Sequence, residues 1–418
     1  VLRRAVVVVM VAVATVLGLL VVPAGATPPD RPTGPVDLVG ELGGVPYEIR
    51  VPANWNRTLV MYAHGYEDAA DHPGEPGRRP PNSHISEAHE QAMLNAGYAI
   101  AGSAYASAGW AVRDGIRDTR ALAKHFGKVV GKPRVTLLGG YSMGSIITFE
   151  SIERYAETYD GAMPSCPVGA GSTRTWDGVA AVASAYAAVY GWPAAWGRPG
   201  DVRDDLDFES EVAPILQAQL AAPDGRGKFE FMRLAAGVPT GPEWPLGIWS
   251  FATEGRAELE RRAGGPITQN LDHTYRLSTS DRQYLAGLGV GGDQVDGYLS
   301  TMDKKRLGAH PKARHYLERY ADYSGRIRNP VLTLHTTVDA LVPQAHISAY
   351  NQTVADAGRE RNAANAWTSG VGHCRFTPTQ VVTATKALES WVRTGQRPGR
   401  LPAEQGFVAY DPPPWPQP

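Results

Sequence analysis

Residues 135–154, VTLLGGYSMGSIITFESIER, constrain the fold more than any other part of the chain. An apolar, strand-like run ends in two glycines, and the sequence that follows repeats Ile146, Ile147, Phe149 and Ile152 at helical spacing. Between the two stands Gly140-Tyr141-Ser142-Met143-Gly144, a G-x-S-x-G pentapeptide. Set between a buried strand and a helix, it has the context of a tight turn that lifts a serine hydroxyl beyond the end of a sheet. Gly140 and Gly144 are then the clearance such a turn needs where two backbones pass closely. Taken alone, the same letters also fit a plain linker, so the assignment depends on what the rest of the chain supplies.

The flanking sequence supplies an alternation of strands and helices. Strands are predicted at 44–52, 58–65, 98–106, 134–142, 160–167, 329–339 and 363–369. Helices are predicted at 83–95, at 113–131 with Ile116, Leu122, Phe126 and Val129 near one face, after Ser142, and in the two segments PQAHISAYNQTVADAG and TPTQVVTATKALESWVRTG. Apolar strands alternating with amphipathic helices give an α/β class with a mainly parallel sheet covered on both faces. Residues 27–43 are Pro- and Gly-rich and read as a loose leader, and 67–82 as a long polar loop. From about 172 to 326 the rhythm breaks into helical fragments, Trp/Pro/Gly loops and acidic clusters such as DVRDDLDFESE. The expected organisation is 1–26 as a signal peptide, 27–171 and 327–418 as two parts of one core, and 172–326 as a helical insertion.

The N-terminal stretch places Arg3 and Arg4 before an apolar run from Ala5 to Val22, with Ala24-Gly25-Ala26 as a small-x-small cleavage site. This is the pattern of an export signal cut after Ala26; a membrane anchor is the alternative, since the run is about long enough to span a bilayer. Net charge is −1, from 41 basic and 42 acidic residues without long blocks, so nothing marks a nucleic-acid or anionic-membrane partner. A small or neutral partner is expected, and oligomeric state is left open. The two cysteines, Cys166 and Cys374, allow one disulfide in an exported protein, or two free thiols. No Cys-x-x-Cys or His-Glu-x-x-His spacing occurs, and HISEAHE (84–90) reads as a polar helix start, so neither metal nor cofactor is expected.

A serine hydroxyl is a weak nucleophile until a base, oriented by a carboxylate, takes its proton. At a strand-to-helix turn the order along the chain is serine, acid, histidine. Five of the eleven histidines precede Ser142; His273, His310 and His315 fall in the irregular middle, His335 inside a strand and His346 near a helix start. His373, in the Gly-flanked SGVGHCRF after the last predicted strand, is the candidate base. Asp339, directly after the strand before that one, is the candidate acid. The plainer readings are a surface histidine and an aspartate that closes an Asx-turn. A tetrahedral oxyanion also needs donors, and the backbone N–H groups of Tyr66, after His64-Gly65, and of Met143 are expected to supply them. His64 is read as a brace for that loop.

In this order, strand-HGY, strand-GYSMG-helix, strand-TTVDALVP and VGHC resemble the α/β-hydrolase superfamily, over the whole chain after residue 26 except the insertion. NAGYAIAGSAYASAGWAVRDGIRDT and GHCRFTP are similar to secreted bacterial esterases and peptidases related to tannase- and feruloyl-esterase-like hydrolases. In that group a cysteine before the serine pairs with one after the histidine. Here Tyr141 precedes Ser142, so that clamp is missing as such. Cys374 still follows His373, and Cys166 ends the strand after the turn's helix, so a Cys166–Cys374 disulfide at the active-site edge is the expectation.

The resemblance implies an α/β-hydrolase fold with a cap at 172–326 and a secreted serine hydrolase with Ser142, Asp339 and His373 as its triad. Carboxylic esters are the expected substrates, cleaved through an acyl-enzyme. A peptidase or amidase with the same residues is the alternative, its substrate ammonium held by the acidic DDLDFESE run. A non-catalytic binding protein on the same fold is the third reading. Trp176, Trp192, Trp196, Trp244 and Trp249 in the insertion read as cap core or as the walls of an aromatic pocket.

Overall fold

The computed structural model describes residues 35–67 and 82–415. The expected signal peptide lies outside these, as does most of the 67–82 loop. The centre is a nine-stranded sheet. In chain order its strands are β1 (Val36–Leu42), β2 (Val45–Val51), β3 (Thr58–Ala63), β4 (Ala99–Ser103), β5 (Val135–Tyr141), β6 (Gly161–Ser165), β9 (Val331–Val338), β10 (Ala363–Val371) and β11 (Phe407–Val408). They lie side by side as β1-β2-β4-β3-β5-β6-β9-β10-β11. From β4 to β10 every pairing is parallel; β1–β2, β2–β4 and β10–β11 are antiparallel.

The near-continuous apolar strands follow from burial on both faces. In β3, Leu59, Met61 and Ala63 join a core with Ile116, Phe126, Ile146, Ile147 and Phe149 from α2 (Val112–Val129) and α3 (Met143–Arg154). The alternate residues Val60 and Tyr62 enter the opposite core with Met93 of α1 (Glu87–Asn95) and Val381, Ala384 and Leu388 of α13 (Pro378–Thr394). α12 (Ala345–Asp356) lies between β9 and β10 in the chain. Strand order, direction and helical cover together are the expected α/β-hydrolase architecture.

Residues between β6 and β9 add no strand to this sheet. They form α4 (Ser172–Val189), a short ribbon of β7 (Gly197–Arg198) and β8 (Asp201–Val202), and α5 (Ala213–Leu220), α6 (Gly225–Ala235), α7 (Leu246–Ser250), α8 (Arg256–Ala263), α9 (Thr279–Gly287), α10 (Gly292–Lys304) and α11 (Pro311–Ala321). This section has its own apolar core, in which Trp196 and Trp249 pack around Tyr186 with Phe208, Phe229 and Met302. Trp176 joins the core beneath it instead, edge-on to Trp110. Asp322 accepts from the N–H and hydroxyl of Thr173, and Arg314 forms a two-pronged ion pair with Asp177, so the two ends of the section are strapped together. Among the described residues no helix is long and apolar enough to cross a membrane.

Four local expectations are corrected. Part of the loose leader is strand β1, whose VDLVGEL alternates half-buried and exposed side chains. α1 begins only at Glu87, because Ser83 and His84 are buried in the preceding turn: Ser83 donates to Glu90 and Glu48, and the His84 ring stacks between Tyr62 and His89. Val129 is exposed, and Val130 takes the buried place at the end of α2. A two-residue strand, β11, pairs with β10 where none was expected.

Candidate active site

β5 ends at Tyr141 and α3 starts at Met143, so Ser142 makes the whole turn alone. Its backbone sits at φ 57° and ψ −123°, a region that disfavours any side chain. The glycines explain how the turn closes. A Cβ on Gly144 would stand 2.1 Å from the carbonyl oxygen of Ala63 in β3, and one on Gly140 would stand 2.1 Å from that of Gly144. Both obstacles are backbone atoms, which cannot swing aside. Ser145, which sequence reasoning passed over, fastens the turn: its hydroxyl donates to the Ser142 carbonyl and accepts from Val168 N–H. The Ser142 hydroxyl makes no capping bond to α3, and the residue is half-buried.

Next to the turn lies the segment after β3. A Cβ on Gly65 would be 3.5 Å from Ser142 Cβ, so Tyr66 follows a residue already against the serine. As the first residue of α3, Met143 has an N–H with no acceptor inside its own helix. His64 stacks on Tyr105 at 3.7 Å, its Nδ1 bonds the Gly65 carbonyl, and the Tyr105 hydroxyl donates to the His64 carbonyl. The Tyr66 ring packs against Phe251 of the inserted section and against Trp110.

Asp339 follows β9 and His373 follows β10. They meet: His373 Nδ1 is 2.8 Å from Asp339 Oδ2. Asp339 is fully buried, and its other oxygen accepts from the N–H groups of Leu341 and Val342 at 3.0 and 2.8 Å. The Asx-turn and the carboxylate–imidazole pair are thus made by the same side chain, one oxygen each. Burial alone would push this carboxyl up. The charge and hydrogen bond of His373, the nearby His335 ring and Val342 N–H outweigh it and hold the carboxyl below its usual range. The far nitrogen, His373 Nε2, is buried with no hydrogen-bond partner among the described residues.

Cys166 and Cys374 form a disulfide, with Cα atoms 5.1 Å apart across 208 residues of chain. Cys374 adjoins His373, and Cys166 follows Ser165, whose carbonyl accepts the N–H of Ser142 at 3.1 Å. A ring nitrogen of His373 and the two sulfur atoms lie within 4.8 Å of one another. The disulfide therefore joins the histidine loop to the strand beside the serine. Among the described residues, five that are not glycine adopt positive φ, and Ser142, Cys166, Cys374 and Tyr105 are four of them. Backbone strain is concentrated where these loops converge.

One side chain here had no signal in the sequence. Glu243, from the turn before α7, accepts from His373 N–H at 2.6 Å and from Ala340 N–H at 3.1 Å. Within the acidic run DDLDFESE, Asp205 and Glu211 pair with Arg203, and Asp207 caps the turn at Ser210. Trp196 and Trp249 are buried in the core of the inserted section, as the plainer of the two tryptophan readings has it; Trp192 and Trp244 are partly buried against that core, and Trp176 is buried in the core of the sheet instead.

A scan against protein-family models finds no match, and neither does a search of curated proteins. Solved structures with similar folds include feruloyl esterase B from Aspergillus oryzae, at 13% identity and TM-score 0.42, covering 87% of this chain and 80% of that one. An esterase from Aspergillus oryzae has 13% identity and TM-score 0.40 over 89% of this chain and 84% of its own. A monoacylglycerol lipase from Paleococcus ferrophilus has 14% identity and TM-score 0.37 over 84% and 98%. Similarity at that level is slight, and what the site can do follows from its own atoms: a strained serine beside a helix N-terminus, and an imidazole oriented by a buried carboxylate.

Proposed function

We propose that this chain is a secreted serine hydrolase that cleaves carboxylic esters through an acyl-enzyme. The observation that carries the reading is His373, bound through Nδ1 to fully buried Asp339 while its Nε2 has no partner among the described residues. A neutral imidazole with its proton fixed on Nδ1 presents a lone pair at Nε2, which is what a general base for Ser142 requires.

In the proposed reaction Ser142 Oγ attacks the ester carbonyl as His373 Nε2 takes its proton. The oxyanion is held by the N–H groups of Tyr66 and Met143, and losing one such donor costs about 3 kcal/mol of transition-state stabilisation. Collapse expels the alcohol, which receives the proton from His373 and leaves an acyl-serine. Water, deprotonated by the same nitrogen, attacks the acyl carbonyl, and the acid leaves as Ser142 Oγ takes the proton back from His373. Asp339 orients the ring and stabilises the imidazolium without taking the proton. Residues 172–326 act as the cap that shapes the acyl and alcohol sites, with Phe251 packed against Tyr66. The disulfide suits an oxidising compartment, in keeping with export directed by residues 1–26.

The test uses purified protein with p-nitrophenyl esters of graded chain length and with aryl esters, beside matched anilides. Turnover of esters that exceeds that of amides and vanishes in Ser142→Ala is expected. Turnover that survives in Ser142→Ala would defeat the assignment.

A further inference from the structure

We propose that Glu243 is a positioning residue through which the inserted section holds the acid and base of the site in register. The proposal rests on the functional reading above. Glu243 reaches the Asp339 and His373 loops through hydrogen bonds to their main chain. Its two oxygens accept from main-chain N–H groups, Oε1 from His373 and Oε2 from Ala340, the residue after Asp339. One carboxylate therefore spans the two loops that carry the imidazole and its partner.

The surrounding turn is shaped to this place. A Cβ on Gly241 would lie 2.8 Å from Ala340 Cβ. Gly372, at φ +103°, comes so close that a Cβ there would lie 3.1 Å from Glu243 Oε1 and 3.3 Å from Pro242 Cγ. The Gly241–Glu243 turn thus sits wedged between the acid loop and the histidine loop. Chemistry selects a carboxylate at this point. Two N–H donors need two acceptors, which glutamate has; a glutamine amide offers one acceptor and sets N–H against N–H at the other bond.

The sheet and disulfide already fix where the two loops begin. The proposed task of Glu243 is finer: it sets the separation of Ala340 and His373, and with it the Asp339–His373 hydrogen bond. Displacement of a reacting group by about 1 Å can lower a rate roughly 100-fold. The inserted section would then contribute to catalysis itself as well as to substrate choice.

The experiment compares wild type with Glu243→Gln and Glu243→Ala, checked for folding by circular dichroism. Three readouts are followed: kcat and KM on an ester, the rate of fluorophosphonate labelling, and the low-field proton resonance of the His373–Asp339 hydrogen bond. The alanine variant should lose about 10- to 100-fold in kcat, with labelling slowed in parallel and KM unchanged, and the glutamine variant should fall between. The low-field resonance should weaken in the same order. An unchanged kcat and resonance in folded Glu243→Ala would overturn the proposal, and so would a rise in KM alone, which would make Glu243 a substrate contact. If wild type neither turns over ester nor takes label, the functional reading fails; the resonance still decides whether Glu243 sets the Asp339–His373 pair.

Discussion

Ser142 and His373 stand on the same edge of one sheet, yet they are held in opposite ways. The serine is fixed by a short turn whose special residues are its neighbours in sequence: Gly140 and Gly144 admit backbones that no larger residue would, the second that of Ala63 in β3, and Ser145 bonds its carbonyl. The histidine is fixed by distant parts of the chain. Asp339 is 34 residues away, Glu243 is 130 away in the inserted section, and the disulfide beside it closes a separation of 208. One half of the site is a contiguous turn that needs only its adjacent strands, and the other is an assembly of loops from across the whole chain.

Acid should strain the assembled half most. His335 and His346 flank the Asp339 loop, and His84 lies behind Tyr141; burial pushes their values down to about 4, about 3 and about 3. All three are neutral in the folded state, whereas in the unfolded chain such rings take protons below about pH 6.5. The unfolded state therefore binds more protons between about pH 6.5 and 4, so stability falls as pH falls through that window. Asp339 acts in the same direction over a lower window. Its depressed value keeps its contribution intact above the unfolded carboxylate range near 3.9 and removes it only as pH drops through the lower folded value. Chemical denaturation from pH 8 to 4 should show this decline, and a flat profile would mean that the three rings are not buried neutral.

Removing the disulfide comes next in size. Cys166→Ser with Cys374→Ser, or a dithiol reductant on wild type, should cost about 2–4 kcal/mol of stability and lower activity by loosening the His373 loop. An intact mass carrying two free thiols in the untreated protein would break the comparison at this point. For the local half, Gly144→Ala should cost about 1–3 kcal/mol and suppress labelling of the serine, because its Cβ would meet the Ala63 carbonyl. Gly139→Ala is the smallest effect. A Cβ there would find its nearest atoms at 3.8 and 4.0 Å, so stability should change by less than about 1 kcal/mol. Equal damage from both alanines would show that backbone clearance does not shape the turn.

The same contrast explains what could be read in the sequence. The strand-to-helix turn is contiguous, and the apolar strands around it are buried on both faces, so both were legible from local pattern. The places of Asp339 and His373 followed from chain order and from the strands before them. Strand β1 was hidden by the Pro- and Gly-rich composition around it, although the alternation of VDLVGEL was there to find. Val129 and Val130 show how a one-residue shift at a helix end exchanges a buried place for an exposed one. Glu243 had no signal at all: it is a single carboxylate in a Trp/Pro/Gly-rich loop, and its meaning lies in two N–H groups far along the chain. Long-range backbone contacts leave no periodicity and no motif.

The most direct measurement treats the protein with a fluorophosphonate and maps the modified peptide by mass spectrometry. A single adduct on Ser142, absent after Ser142→Ala and strongly slowed in His373→Ala, is the predicted result. No adduct on the folded wild-type protein, or one on a different serine, would contradict the account.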